Sequence, residues 1–300
     1  MTLEQLRIFI AQAEREHVTR AAEALHLTQS AVSAAIAALE NRYRVALFHR
    51  VGRRVELSAE GKLFLEEARA VLARSEAAER VLADLSGMRR GSLTVEASQT
   101  IASYWLPSRL VAFRRAWPDI DVRLGVGNTQ QVARAVSEGA AELGFVEGHV
   151  DEPALEMTEV DRDRLVIVVA PSHPWARKAK LSPADLVESE WVLREAGSGT
   201  RSEFESALRT YDTPEAALNI ALELPSNDAV RAAVEAGLGA TAISELAAAA
   251  GLQSGALVRA RFNLPERAFN MLAHRGRYQS RAAQAFVAMI CGKTRAKVSA

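Results

Sequence analysis

Apolar residues recur at helical spacing from the first turn of the chain. Leu3, Leu6, Phe9, Ile10 and Ala13 predict a helix over residues 2–16, and Thr2 with Gln5 supplies its capping box. A short helix follows, capped by Thr19 and lined with Ala21, Ala22, Ala24 and Leu25. After a break at His26-Leu27, Thr28 caps a third helix with Ala31, Val32, Ala35, Ile36 and Leu39 on one face. Helix, short helix, tight turn and helix make a helix-turn-helix. Leu47-Phe48 and Val55–Leu57 then flank Gly52-Arg53-Arg54, which predicts a two-stranded hairpin, or wing. Ser58-Ala59-Glu60-Gly61 opens a long helix to about Leu85. On it Phe64, Ala68, Val71, Ser75, Ala78, Leu82 and Leu85 step by four and three, the heptad seam of a dimerisation helix. The alternative is a helix packed on its own domain.

Past Gly91-Ser92, which marks a hinge, the pattern changes to strands alternating with helices. Strands are predicted at Leu93–Ala97, Asp121–Val126, Glu142–Val146, Leu165–Ala170, Trp191–Leu193, Leu218–Leu222, Ala240–Ile243 and Ala268–His274. Helices fall at about Thr100–Trp117, Thr129–Glu138, Arg201–Tyr211, Asn227–Ala236 and Arg281–Ile290. Such alternation implies parallel sheets with right-handed crossovers. The stretch is long for one sheet, so two subdomains with a cleft are expected. Beyond Ala247–Ala250 there is no low-complexity tract.

Composition narrows the class. Of 300 residues 49% are apolar and 25% charged, which excludes a disordered chain and a collagen-like fibre. A single cysteine, Cys291, excludes a disulfide scaffold and fits a reducing compartment. Residues 1–20 carry Glu4, Arg7, Glu14, Arg15, Glu16 and Arg20, so no signal peptide is read there. No stretch is apolar enough to span a membrane. The expectation is a cytoplasmic protein. Net charge is zero, 37 basic against 37 acidic residues, yet residues 42–54 hold Arg42, Arg44, Arg50, Arg53, Arg54 and His49 and no acid. Guanidinium groups grip phosphate oxygens bidentately, so the patch suits a nucleic-acid backbone. It is also compatible with a merely solvated face.

The run AAEALHLTQSAVSAAIAALENRYRVALFHRVGRRVELSAEG, residues 21–61, resembles the N-terminal winged helix-turn-helix of LysR-type transcriptional regulators. The match rests on the Ala-rich second helix, Gln29 with Val32-Ser33, Ile36-x-x-Leu39-Glu40, and Leu47-Phe48-x-Arg50 before the wing. Val18 departs from it, standing where members usually carry an aromatic residue. ASQTIASYWLP (97–107) and LREAGSGTR (193–201) resemble a branch that senses small anionic metabolites of sulfur or carbon assimilation. The resemblance spans the chain and implies an α/β multidomain protein. Its parts are a winged helix-turn-helix at 1–58, a linker and dimerisation helix at 59–90, and a two-lobed α/β effector domain like a periplasmic solute-binding protein at 91–300. Lobe I would take about 91–161 and 266–300, and lobe II about 162–265. The implied partners are double-stranded operator DNA, a small anionic effector, further copies in a dimer of dimers, and RNA polymerase, with no membrane and no cofactor.

The third helix would lie in the major groove. Gln29 has the geometry to pair with adenine, Ser30 and Ser33 can reach base or phosphate, and Thr28 caps the helix and touches phosphate. Arg50, Arg53 and Arg54 would hold phosphate or enter the minor groove. Arg44 could instead pair with a carboxylate of its own domain. In the second half Ser98-Gln99-Thr100 and Gly197-Ser198-Gly199-Thr200 each precede a helix, where free backbone N–H groups and a partial positive charge favour an anion. Two ordinary helix caps would look the same. The resemblance carries effector contact onto Ser98, Gln99, Thr100, Ser198 and Thr200, and onto the strand end at Phe145-Val146-Glu147; Asn128 and Gln130 are further candidates. Glu147 and Glu195 leave a zwitterionic effector open. No catalytic or metal-binding residue is predicted. Gly197-Ser198-Gly199 lacks the spacing of a nucleophile elbow, and the six histidines show no metal-ligand pair. A solute-binding component and an enzyme with a DNA-binding appendage remain the competing classes.

Overall fold

The structure is a computed structural model. It describes residues 1–298 other than 52–53, 86–90 and 212–217, and of residues 50, 51, 80, 83–85 and 293–298 the backbone only. Residues 1–82 make up one compact unit, and residues 83–137 and 141–300 another.

In the first unit α1 (Leu3–Arg15) opens with the expected capping box of Thr2 and Gln5 and stops where Glu16 turns left-handed, at φ 49°. The helix α2 (Val18–Leu25) corrects the expected cap. His17 is its N-cap and Thr19 lies inside it, because the His17 carbonyl already accepts from Ala21 N–H at 3.0 Å. Thr28 does cap α3 (Gln29–Tyr43), its hydroxyl accepting from Ala31 N–H. The three helices bury Leu6, Phe9, Ala21, Ala22, Val32, Ile36 and Leu39 together. The wing forms as β1 (Phe48–Val51) and β2 (Arg54–Leu57), paired antiparallel from Phe48↔Leu57 to Val51↔Arg54. Bonds from both neighbours help seat it: the Glu40 carboxylate accepts from Leu47 N–H at 2.7 Å and Phe48 N–H at 3.2 Å, and Val55 N–H donates to the Glu16 carbonyl at 3.2 Å.

The long helix α4 (Ala59–Leu85) spans 27 residues, about 40 Å at 1.5 Å per residue. Its first turn needs Gly61, since a Cβ there would lie 2.1 Å from the Leu47 carbonyl oxygen. The heptad seam divides in two. Phe64 and Ala68 pack into the first unit's own core, with Phe64 stacked 4.9 Å from Phe9. Val71 and Leu82 stand 41% and 68% exposed, and Ala78 is exposed as well. The Leu85 side chain lies outside the described residues. The own-domain alternative therefore holds for Phe64 and Ala68 and not for Val71, Ala78 or Leu82.

The second unit departs from the all-parallel expectation. One path of strands runs β4 (Asp121–Gly127), β3 (Ser92–Ser98), β5 (Leu143–Glu147), β11 (Glu266–His274), β6 (Leu155–Val169), β9 (Ala240–Ser244), β7 (Glu190–Arg194) and β8 (Asn219–Leu224). The outer strands on each side pair in parallel, but β11 is antiparallel to β5 and β6, and β6 is antiparallel to β9. The strand β6 explains the mixture. Its residues 155–164 pair with β11 and its residues 165–169 pair with β9, so one strand serves both lobes. The short strand β10 (Val258–Arg259) also joins it.

Each lobe is layered on both sheet faces, which is why its inner strands read as continuous apolar runs. In the first, Leu93, Phe113, Phe145, Phe269 and Phe286 pack on one face and Val132, Val136, Val146 and Leu272 on the other. In the second, Ile167, Trp191, Leu193 and Phe204 oppose Val166, Val168, Val192, Val230 and Val234. The covering helices are α5 (Leu106–Ala116), preceded by a π-turn over Ile101–Trp105, α6 (Thr129–Glu138), α7 (Pro183–Glu188), α8 (Gly199–Arg209), α9 (Asn227–Glu235), α10 (Glu245–Ser254) and α11 (Arg281–Val298). Among the described residues no helix is long and apolar enough to cross a membrane.

Candidate functional site

Burying Val32, Ile36 and Leu39 turns the other side of α3 outward. Gln29, Ser30 and Ser33 are exposed there, followed by Ala34, Ala37 and Ala38, so no long side chain keeps a partner from approaching. Thr28 is committed to the cap, and its hydroxyl lies 3.0 Å from that of Ser30. Arg54 is exposed on β2. Arg53 and the side chain of Arg50 lie outside the described residues. Arg44 ends α3 in a left-handed turn, and no described carboxylate pairs with it, which removes the intradomain alternative. Arg42 instead lies over the Tyr43 ring at 5.6 Å. A basic hollow of about 370 Å³ between α1, α2 and the wing is lined by Arg15, Glu16, His17, Arg20 and Arg54. Only Arg54 of that set carried a sequence signal.

In the second unit the two polar stretches sit at the ends of β3 and β7, each held by groups from across the sheet. Ser98 closes β3, and its buried hydroxyl has no hydrogen-bond partner among the described residues. Gln99 donates to the Pro225 carbonyl and accepts from Asn227 N–H, both at 3.0 Å. The Thr100 hydroxyl accepts from Asn227 Nδ2 at 3.0 Å, and Asn227 Oδ1 in turn accepts from Arg194 Nη1 at 2.8 Å. Ser198 stands at the N-cap of α8 but makes no side-chain cap bond. Asn128 and Gln130 flank the same loop, since a Cβ on Gly197 would lie 2.8 Å from Gln130 Oε1 and 3.3 Å from Asn128 Nδ2.

The Thr200 hydroxyl accepts from Arg267 Nη1 at 3.2 Å. Arg267 is anchored by Asp163, whose Oδ2 takes Nε at 2.9 Å and Nη2 at 2.6 Å, and Asp163 also accepts from Ser244. Glu147 approaches the same guanidinium at 3.8 Å. Gly199 is glycine because a Cβ would lie 2.4 Å from Thr129 Oγ1 and 2.7 Å from the Glu147 carbonyl oxygen. Burial pushes the Glu203 carboxyl above its ordinary range, against the pull of Arg267.

Gln99 and Thr100 thus join Asn227 and Arg194 in one network and Thr200 joins Arg267, Asp163 and Glu147 in an adjoining one, while the Ser98 and Ser198 side chains bond to neither among the described residues. Among the described residues no hydrogen bond joins Ser98 or Thr100 directly to Ser198 or Thr200. Phe145 and Val146 require correction. Alternation along β5 sends the Phe145 ring to Trp105 and Phe286 and the Val146 side chain into the opposite core, so both side chains are enclosed and neither joins the polar networks. Glu147 is the residue of that strand end whose side chain joins the networks. Arg267 and Asp163 gave no signal in the sequence; Arg194 lies within the LREAGSGTR motif and Asn227 opens a predicted helix, but neither was a candidate site residue.

An exposed short-side-chain helix beside a wing, followed by a two-lobed α/β unit with helix starts and buried arginines at its strand ends, defines a ligand-responsive DNA-binding regulator. Residues 3–62 match the family described as bacterial regulatory helix-turn-helix protein, lysR family, and residues 86–293 match the LysR substrate binding domain. The HTH-type transcriptional regulator YeiE of Escherichia coli strain K12 is 34% identical over 295 residues, covering 96% of either chain. The full-length CbnR crystallised with its target DNA shares the fold at a TM-score of 0.72 and 23% identity, covering 97% of this chain and 99% of that one. The CcmR regulatory domain of Synechocystis PCC6803, in complex with 2-PG, matches at a TM-score of 0.62 and 23% identity over 68% of this chain and 97% of that one. The chain belongs to the LysR family of DNA-binding transcriptional regulators, which are not enzymes, and it carries that family's effector-binding domain.

Proposed function

We propose that the chain binds an operator through α3 and the wing, and that a small anion held between its two lobes controls that binding or the activation that follows. Gln29 reads a base edge in the major groove with Ser30 and Ser33 beside it, Thr28 approaches phosphate, and Arg50, Arg53 and Arg54 set the register on the backbone or in the minor groove. The exposed stripe of Val71, Ala78 and Leu82 pairs two chains, and two such pairs form a dimer of dimers in the cytoplasm that contacts RNA polymerase.

The anion lies among Ser98, Gln99 and Thr100 on one lobe and Ser198 and Thr200 on the other, with Phe145 and Val146 anchoring the strand end in the cores on its two faces. The observation that carries this reading is a count of hydroxyl protons. A hydroxyl has one proton and two lone pairs. The buried Thr100 and Thr200 each accept a bond and donate none among the described residues, and Ser98 does neither. An unmade bond at a buried polar group costs roughly 1–3 kcal/mol. An anion bearing several oxygens supplies the acceptors, and the uncapped start of α8 adds N–H groups and a favourable dipole. The complex of the related CcmR domain with 2-PG supports a small ligand in this domain.

The test is a thermal-shift and titration panel of sulfate, phosphate and small carboxylates on the full chain, with Thr100→Val and Thr200→Val in parallel. Each variant removes one donor at nearly constant shape and should weaken binding by about 1–3 kcal/mol. If these anions leave the melting temperature unchanged while an amine raises it, the anion reading is wrong.

A further inference from the structure

Arg194 and Arg267 are both buried where the lobes meet, and their counter-ions differ. Arg267 pairs with Asp163, and both side chains are almost wholly buried. Ser244 fixes that carboxylate from its other side, so the pair is a permanent part of the fold. Arg194 is equally enclosed, with 4% of its side chain exposed, but its partner Glu195 is 25% exposed. The contact is a fork on a fork, Nε to Oε2 at 2.8 Å and Nη2 to Oε1 at 2.9 Å. The remaining arm, Nη1, runs through Asn227 to the hydroxyl of Thr100. Glu195 begins the loop into α8, in which Gly197 adopts a φ of 86° that other residues rarely take.

We infer that Arg194 is the cationic group of the effector site, and that Glu195 occupies its fork as a resident carboxylate that an oxyanion of the effector replaces. The inference rests on the anion reading above and names the residue that would hold the charge. Carboxylate, sulfate and phosphate all fit the planar fork of a guanidinium. A buried arginine left without a partner is strongly destabilising. Exchanging one carboxylate for another anion keeps the guanidinium neutralised in both states. The exchange also falls beside the bonds that link the lobes, because Asn227 holds Gln99 through its backbone N–H while its side chain bridges Arg194 and Thr100. An anion on Arg194 therefore acts on the same asparagine that ties one lobe to the other.

The experiment uses the full chain with sulfate as the probe, at low millimolar concentration and with ionic strength held constant by chloride. Glu195→Gln keeps the shape and frees the fork, so it should bind sulfate about tenfold more tightly than the wild type. Arg194→Met should bind about tenfold more weakly, the effect of one charge-assisted bond, with Arg194→Lys between them because it keeps the charge without the fork. Sulfate stabilises folded proteins in general. Glu266→Gln, which breaks only a surface pair with Arg164, measures that background and should match the wild type. If Arg194→Met unfolds, Glu195→Gln and Arg194→Lys carry the test. Equal sulfate affinity in wild type and Glu195→Gln overturns the resident-carboxylate role. Wild-type affinity in both Arg194 variants overturns the assignment of Arg194, while Thr100→Val and Thr200→Val still decide whether an anion binds between the lobes. Binding of sulfate by none of the proteins overturns the inference, and the carboxylate arm of the panel then judges the anion reading separately.

Discussion

Gln29, Ser30 and Ser33 stand exposed on α3, whereas Ser98, Thr100, Ser198 and Thr200 are each no more than 3% exposed in the second unit. The two sets have similar chemistry and opposite circumstances. On the proposed reading water satisfies the first set until DNA replaces it, so α3 would bind by docking as it stands. The second set is satisfied, in part, by buried side chains from distant strands, so a ligand held there as proposed would displace or complete an internal network. A group on α3 can be changed at little cost to the fold. A group in the network carries fold and function together.

The largest effect should appear where the network is most enclosed. Arg267→Met leaves the buried Asp163 carboxylate without its cation and should cost roughly 3–5 kcal/mol of stability, read by urea denaturation. A loss below about 1 kcal/mol would show that water reaches the site, and the contrast with α3 would weaken.

On the proposed reading the exposed positions of the linker resemble those of α3, a surface that awaits a partner. Leu82 is 68% exposed within one chain, so Leu82→Asp should leave the fold of that chain unchanged. In a paired seam the carboxylate would be desolvated, weakening the dimer by roughly 2 kcal/mol or more. Light scattering should then find a monomer. A fully dimeric variant would place the dimer contact elsewhere.

Gln29→Ala should change stability by no more than about 0.5 kcal/mol and cost about 1–3 kcal/mol on cognate operator, with little loss on random DNA. Equal losses on both would sink its role in base reading, and a large loss of stability would break the comparison from the side of α3.

How much of this was legible follows from the distance between partners. The capping box of Thr2 and Gln5, the Thr28 cap and the heptad steps are local, within four residues, and they could be read directly. Thr19 misled because the true cap of α2 is a backbone carbonyl, that of His17, which leaves no side-chain signature. The first half of β6, Leu-Glu-Met-Thr-Glu-Val-Asp-Arg-Asp-Arg, gives no strand signal because only part of it is buried, while the Leu165–Val169 half, buried on both faces, reads plainly as a strand. The Ala-rich helix α10 gave no periodicity to read. The effector networks join residues 67, 104 and 127 positions apart (Thr200–Arg267, Asp163–Arg267 and Thr100–Asn227), and no spacing rule reaches that far. The helix starts were visible in the sequence; the long-range contacts by which the arginines answer them were not.

The smallest effect concerns Glu203, which packs over Gly148 close to the Arg267 network. Burial raises its carboxyl above the ordinary range, the nearby Arg267 pulls it down, and Glu147 adds repulsion. A group whose pKa is higher folded than unfolded binds more protons in the folded state between the two values. Stability should therefore fall as pH rises from the ordinary carboxylate range to the raised folded pKa, and stay lower above it. Glu203→Gln cannot ionise, so it should remove this slope and be slightly more stable than the wild type at neutral pH. Because the side chain is only partly enclosed, solvent screens the effect and the gain should be modest. Melting temperatures of wild type and variant from pH 4 to about pH 7 make the check. Parallel curves would show that Glu203 is solvated like the polar residues of α3, and the boundary between the two kinds of site would then lie deeper, at Glu147.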